Sequence, residues 1–121
     1  MDVNWTAVIA GTLVAYGLGF LWFGPVFGKV WARGSHNITP PAKPPVAAMA
    51  LQLAGTFLMA WVIGATATIN ALVTALFVIV AIATLLTAGA LFSRKSTAAA
   101  LIDGGFALAL GVVMILLQGA L

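Results

Sequence analysis

The ionisable residue that stands out in this sequence is Asp103, which lies within a long apolar stretch. A carboxylate within a membrane-spanning segment costs about 2.5–3.5 kcal/mol at mid-membrane, and such groups mark proton or cation relays. The competing interpretation is a structural carboxylate near a helix N-terminus, which the helix dipole favours and which pairs with Lys29, Arg94 or Lys95. Asp103 lies about two turns into the stretch, nearer its start than its centre, so we favour the structural interpretation.

Other side-chain sets that carry chemistry are missing from the sequence. The chain has no cysteine and one histidine, His36, so thiolate sites and multi-histidine metal or haem sites are excluded. It also lacks paired carboxylates and a nucleophile with a neighbouring base. We therefore expect no enzymatic activity and no metal or organic cofactor bound by this chain alone, and we interpret His36 as a solvated loop residue.

The composition indicates that the lipid bilayer is the solvent of this chain. Of its 121 residues 64% are hydrophobic and 6% are charged, whereas a soluble domain is about 25% charged. Seven charged side chains, five basic and two acidic, are too few to cover a soluble surface of this size. The basic excess then reports membrane orientation and does not predict binding to nucleic acid.

Apolar stretches long enough to cross a bilayer occur four times in one domain over residues 1–121. A spanning helix needs about 20 apolar residues, and we predict spans over about 3–23, 46–66, 71–92 and 98–117. The first is expected to end at Gly24-Pro25 and to be retained, since it does not begin like a signal peptide. Short links between the spans predict an all-α, antiparallel four-helix transmembrane bundle.

The basic residues predict the orientation of this bundle. All five lie in the first and third links, which an even number of spans places on the same side. The positive-inside rule makes these links cytoplasmic, so both termini face the outer, periplasmic side. Tryptophans are expected at the membrane boundaries as interfacial anchors, with Trp5 and Trp61 at the outer one and Trp22 and Trp31 at the inner one.

Small residues at four-residue spacing predict close helix contacts. Gly24 and Gly28 have this spacing, but Pro25 lies between them, so we interpret them as part of a helix-terminating loop. The remaining pairs lie inside the spans and predict packing within the bundle or, as an alternative, against a partner; they are Ala50 with Ala54, Gly105 with Ala109, and Ala107 with Gly111.

Motifs along most of the chain resemble the domain of unknown function 1761 family. The first is Asn4-Trp5-x-Ala7-Val8, followed by Gly19-x-x-Trp22-Phe23-Gly24-Pro25-x-Phe27-Gly28-Lys29-x-Trp31. The second span and the segment Leu101-Ile102-Asp103-Gly104-Gly105-Phe106 fit the same pattern. The resemblance implies a small bacterial protein of the cytoplasmic membrane with about four spans, and no activity is implied. Many members carry Asn and Tyr where this chain has Asp103 and Phe106.

Three functional hypotheses follow. The first is a non-enzymatic accessory or scaffolding subunit that packs against other subunits of a larger membrane complex, respiratory or photosynthetic, and it suits the shortage of polar groups. The second is a small oligomeric transporter or channel that uses Asp103. The third, a membrane enzyme, lacks candidate catalytic residues. We favour the first and expect the bilayer and other membrane subunits, or further copies of this chain, as partners.

Overall fold

The computed structural model describes residues 2–121, which form helices joined by short links and contain no strand. Four helical segments in this part of the chain are long and apolar enough to cross a membrane: Trp5–Val26, Val46–Ala67, Leu72–Phe92 and Thr97–Ala120. The prediction of an all-helical, multi-pass membrane protein is confirmed at this level. The individual helices are α1 (Trp5–Leu21), α2 (Gly28–Gly34), α3 (Val46–Ala67), α4 (Leu72–Phe92) and α5 (Thr97–Ala120), with a π-helical turn at Trp22–Val26.

Two of the long helices begin with a side-chain cap. The Asn4 carboxamide oxygen accepts a hydrogen bond of 3.1 Å from the Ala7 amide at the start of α1. The Ser96 hydroxyl accepts one of 3.1 Å from the Ala99 amide at the start of α5. Each cap satisfies one of the amides that the first helical turn leaves without a partner. These caps fix where the first and last apolar segments become helical.

The first span differs from its prediction at its C-terminal end. The helical path continues through the π-helical turn to Val26, three residues beyond the predicted end at Phe23. Pro25 has no amide hydrogen to donate, and the Phe27 amide donates 3.0 Å to the Trp22 carbonyl five residues before it. Gly24 takes dihedral angles of φ −108° and ψ −107°, which kink the chain. The kink redirects the chain into α2.

Helix α2 was not expected, because the sequence predicts only a polar link after the first span. It is seven residues long, too short to produce an apolar stretch of spanning length, and it carries Lys29 and Arg33 on exposed positions. Its partly buried residue Trp31 turns toward α5. Tertiary contact therefore stabilises a helix that its own sequence does not predict, as expected for so short an element.

Helix α5 is the centre of the bundle. It contacts every other helix and packs most extensively on α4, whereas α3 and α4 share few contacts with each other. In the most apolar 18-residue stretch of α5, 44% of the residues are buried. The corresponding value is 22% for α3 and 22% for α4. The core side chains Val8, Ile63, Phe106 and Met114 fill the space between α1, α3 and α5.

Glycines allow α4 to approach α5 closely. A Cβ added at Gly104 would lie 2.9 Å from the Ala83 carbonyl oxygen and would also meet the Thr87 side chain. A Cβ at Gly111, seven residues further along α5, would overlap the Ile79 side chain. The predicted packing role of Gly111 agrees with this position, whereas Gly104 was not among the predicted pairs although Ala100 lies four residues before it. Gly105 and Ala109 are only partly buried.

Ala50 and Ala54 do not make the intramolecular contact that we expected. Both are exposed on α3, whose buried side carries Thr56, Met59 and Ile63 among other residues. The Tyr16 hydroxyl of α1 donates 3.2 Å to the Met49 carbonyl, so the first half of α3 contacts α1, but the side of it that carries Ala50 and Ala54 is exposed. For these two alanines, contact with a partner stays a prediction.

Candidate functional site

Asp103 forms a compact polar cluster with Lys95 and Trp31, called here the Asp103 cluster. Its Oδ2 atom lies 3.0 Å from the Lys95 ammonium nitrogen, and its Oδ1 atom accepts a hydrogen bond of 2.8 Å from the Trp31 indole Nε1. The ammonium also lies 5.1 Å from the centre of the Trp31 ring, where a cation is attracted to the ring face. Each carboxylate oxygen therefore has a partner.

Helix α2 places Trp31 in the cluster by docking on the start of α5. The Ser96 amide donates 2.8 Å to the Gly34 carbonyl, and a Cβ at Gly34 would overlap the Ser96 hydroxyl and lie 2.7 Å from the Ala99 Cβ. Just after α2, the Nε2 atom of His36 lies 2.7 Å from the Ser93 carbonyl oxygen. When Nε2 carries a hydrogen, it donates a hydrogen bond to this oxygen. His36 is exposed, as expected, but it also ties this link to the end of α4.

The turn between α4 and α5 selects Lys95 from the predicted basic partners. Arg94 adopts a left-handed conformation with φ 60°, and the Lys95 amide donates 3.1 Å to the Ala90 carbonyl, an arrangement that closes helices at their C-termini. This turn directs Lys95 back toward α5. Lys29 and Arg94, the other two candidates, are exposed and do not pair with Asp103.

An aromatic layer lies beneath the cluster. The Trp22 indole Nε1 donates 3.0 Å to the Ile102 carbonyl of α5, and Phe23 packs edge-on against both Trp31 and Phe106 at centroid distances of 5.1 Å. This layer joins the kink after α1 to the first turns of α5. Phe106, where the resemblance implies Tyr in many relatives, contributes packing alone.

The other predicted tryptophan pair lies together elsewhere in the fold. The rings of Trp5 and Trp61 are 5.2 Å apart, and their side chains are 46% and 41% exposed. Trp31 instead belongs to the Asp103 cluster, and Trp22 lies in the aromatic layer next to it. The two pairs that we assigned to opposite membrane boundaries are thus grouped as pairs, while their relation to a membrane stays a prediction.

A groove of about 940 Å³ opens beside the Asp103 cluster. Helices α3 and α4 form its walls, and α1 and α5 its floor. Its lining is mostly apolar, with Lys95, Asp103 and Gln52 among the polar exceptions. The sequence did not predict this groove, which we call the α3–α4 groove, because it arises from the separation of two helices whose apolar patterns look alike.

The chemistry available to this arrangement is narrow. Asp103 is 17% exposed and Lys95 is 23% exposed, and each is committed to the other. Residues 2–121 contain no group of three or more His, Cys, Asp or Glu side chains arranged to hold a metal ion. The polar groups of the cluster are one ammonium, one indole and one carboxylate. They suit hydrogen bonding that holds neighbouring helices together.

Comparison with known proteins agrees with the motif resemblance. No curated protein and no solved structure is significantly similar to this chain. A family model described as "Protein of unknown function (DUF1761)" matches residues 6–119, which is nearly the whole chain. The match includes the kink, helix α2, the Asp103 cluster and all four candidate spans. The chain therefore belongs to the DUF1761 family.

Proposed function

We propose that this chain is a non-enzymatic accessory subunit that packs against a larger membrane complex, respiratory or photosynthetic, in the bacterial cytoplasmic membrane. The observation that carries the proposal is the exposure of Ala50 and Ala54 in the first half of α3. Small residues four apart let a second transmembrane helix approach closely. No helix of this chain uses that face, so a helix of another subunit is the fitting occupant.

The two contacts of the Asp103 carboxylate support the same proposal. The ionisable group within the spans has a partner at each carboxylate oxygen, and both partners tie neighbouring segments of the chain to α5. An intramembrane carboxylate with this role stabilises the subunit and leaves no free acid for a reaction. The remaining exposed surface of α3 and α4 is mostly apolar, which suits contact with lipid or with other membrane proteins.

The proposed arrangement places successive spans antiparallel, with both termini on the periplasmic side. The basic residues support it, since Lys29, Arg33 and Lys43 precede α3 and Arg94 and Lys95 follow α4. Under the positive-inside rule these links are cytoplasmic. The Asp103 cluster then lies toward the cytoplasmic face, where Lys95 reaches interfacial water more easily than it would at mid-membrane.

A leucine scan of the small-residue face tests the proposal. Ala54→Leu adds bulk at an exposed position, so we expect it to leave the purified chain folded while it weakens comigration with the native complex at least tenfold. Ala81→Leu makes the same change at an exposed position of α4 and serves as the matched control. Equal comigration of the two variants would contradict packing through this face.

An oligomeric transporter or channel is the second candidate, and one observation favours it. Asp103 and Lys95 both line the α3–α4 groove, so a transported cation or proton has a route to the carboxylate. In reconstituted vesicles, a transporter that relies on this carboxylate loses activity in Asp103→Asn while the variant remains folded. An accessory subunit keeps its assembly in the same variant, because asparagine still accepts the Trp31 hydrogen bond.

A further inference from the structure

The α3–α4 groove has the form of a site for a long amphiphilic molecule. Its volume of about 940 Å³ lies at the upper end of the range of about 300–1,000 Å³ typical of ligand sites. The side chains at its rim are open to the surroundings, with Leu51 of α3 and Leu85 of α4 respectively 74% and 72% exposed. In a bilayer this opening faces the acyl chains of the surrounding lipid.

Polar groups collect at one end of the groove. Gln52 lies six residues after the start of α3, and Asp103 lies six residues after the start of α5, so each is about 9 Å along its helix at 1.5 Å per residue. Lys95 lines the same end. The Gln52 carboxamide makes no hydrogen bond within residues 2–121, whereas its backbone carbonyl accepts one from Thr56. Gln52 is exposed, and polar side chains in membrane helices typically hydrogen-bond to another polar group.

The end of the groove that holds Lys95 carries an excess of positive charge. Arg94 adjoins Lys95 in the chain, and Lys43 lies two residues before Pro45, which lines the groove. Asp103 is the acidic residue here, and its charge is balanced by Lys95. Basic pockets between transmembrane helices at the cytoplasmic side are typical sites for anionic lipid headgroups.

We propose that the α3–α4 groove binds one anionic diacyl phospholipid. The acyl chains lie along the apolar walls, the phosphate lies beside Lys95 and its basic neighbours, and an ester carbonyl accepts a hydrogen bond from the Gln52 amide. This site is independent of the accessory function proposed above, because Ala50 and Ala54 do not line the groove.

Two glycines make the site testable without disturbing the protein core. Gly55 of α3 and Gly89 of α4 both line the groove, and a Cβ at either has no atom within 4 Å. The Cβ of leucine at either position meets no atom of the chain, and the rest of the side chain extends into the groove. Gly17→Leu is the matched control, since Gly17 is equally open and lies outside the groove.

The first experiment measures lipid retention by native mass spectrometry of the full chain in detergent with added phosphatidylglycerol or phosphatidylcholine. We expect one retained phosphatidylglycerol per chain, at least tenfold weaker retention in Gly55→Leu and Gly89→Leu, and unchanged retention in Gly17→Leu. Equal retention of phosphatidylglycerol by all three variants would overturn the proposal.

The second experiment tests the headgroup. Lys43→Gln combined with Arg94→Gln removes two positive charges that form no ion pair within residues 2–121 and leaves the ion pair of Lys95 with Asp103 intact. Because a basic residue near an anionic surface contributes about 1 kcal/mol, we expect this double variant to lose at least about fivefold in its preference for phosphatidylglycerol over phosphatidylcholine. An unchanged preference, or no preference in the unmodified chain, would refute an anionic lipid.

Comigration separates a lipid from a protein occupant of the groove. If a lipid fills it, Gly55→Leu and Gly89→Leu lose lipid while the tagged chain still comigrates with its native complex. If a partner helix fills it, the same variants lose the complex and retain phosphatidylglycerol normally, which would overturn the lipid site and leave the accessory function standing. Loss of comigration in Ala54→Leu alone concerns the accessory function and not the groove.

Discussion

Replacing Asp103 by leucine or by asparagine separates its structural role from its charge. Leucine removes the acceptor of the Trp31 hydrogen bond of 2.8 Å and leaves the Lys95 ammonium without its carboxylate. A buried donor without a partner costs about 1–3 kcal/mol, whereas an ion pair between partly exposed side chains contributes about 0–1 kcal/mol. We therefore expect Asp103→Leu to lower the free energy of unfolding by about 1–4 kcal/mol.

Asparagine keeps an oxygen at the position that accepts from Trp31 and removes only the charge. Its expected loss is that of the ion pair alone, about 0–1 kcal/mol. An uncharged side chain also costs less to insert into a membrane than a carboxylate. This saving is the same for assembled and for separated helices, so it does not change the difference in unfolding free energy between the variants. The asparagine variant should therefore be clearly more stable than the leucine variant.

The assay is reversible unfolding of the purified chain in mixed micelles, followed by helical content and combined with a double-mutant cycle. Trp31→Phe removes the donor, so its effect and that of Asp103→Leu should overlap, with a coupling energy of about 0.5–3 kcal/mol for residues in contact. Additive effects of the two substitutions, or equal stability of the asparagine and leucine variants, would refute the structural role that we assign to Asp103.

Three further predictions concern packing and topology. Gly34→Ala should lower the free energy of unfolding by about 1–3 kcal/mol through overpacking, because the added methyl meets Ser96 and Ala99, while Gly17→Ala in the same micelle assay should not. Gly104→Ala should separate α4 from α5, since the methyl meets the Ala83 carbonyl and the Thr87 side chain; slower cross-linking between cysteines placed on the two helices would detect this, and an unchanged rate would contradict the close crossing. A reporter enzyme that works only in the periplasm should be active when it is fused after Leu121. Activity of a reporter that works only in the cytoplasm, fused at the same point, would refute the proposed orientation.

The apolar spans were predictable from the sequence because length and the absence of charge determine them. The four candidate spans lie within about three residues of the predicted ones at each end. The end of the first span was not predictable in this way. Pro25 indicates a break, whereas the chain accommodates this proline in a π-helical turn that continues to Val26. A sequence gives the missing donor of a proline but not the alternative hydrogen bond that replaces it.

The Asp103 cluster was predictable only in part. The cost of an intramembrane charge predicts a basic partner, but choosing Lys95 over Arg94 requires the left-handed turn at Arg94. The contact with Trp31 spans 72 residues of sequence and depends on α2, whose seven residues carry no periodic signal. The α3–α4 groove depends on the glycines that draw α4 toward α5, and no local pattern predicts such a separation.

The most direct test of the proposed accessory function is the size of the particle that contains this chain in its native membrane. A tagged copy at native abundance, extracted in mild detergent and separated by native electrophoresis, should comigrate with a complex many times its own 12.4 kDa mass. Mass spectrometry of that band should find other membrane subunits in stoichiometric amounts. Migration as a monomer, or as a discrete oligomer that contains only this chain, would contradict the accessory function.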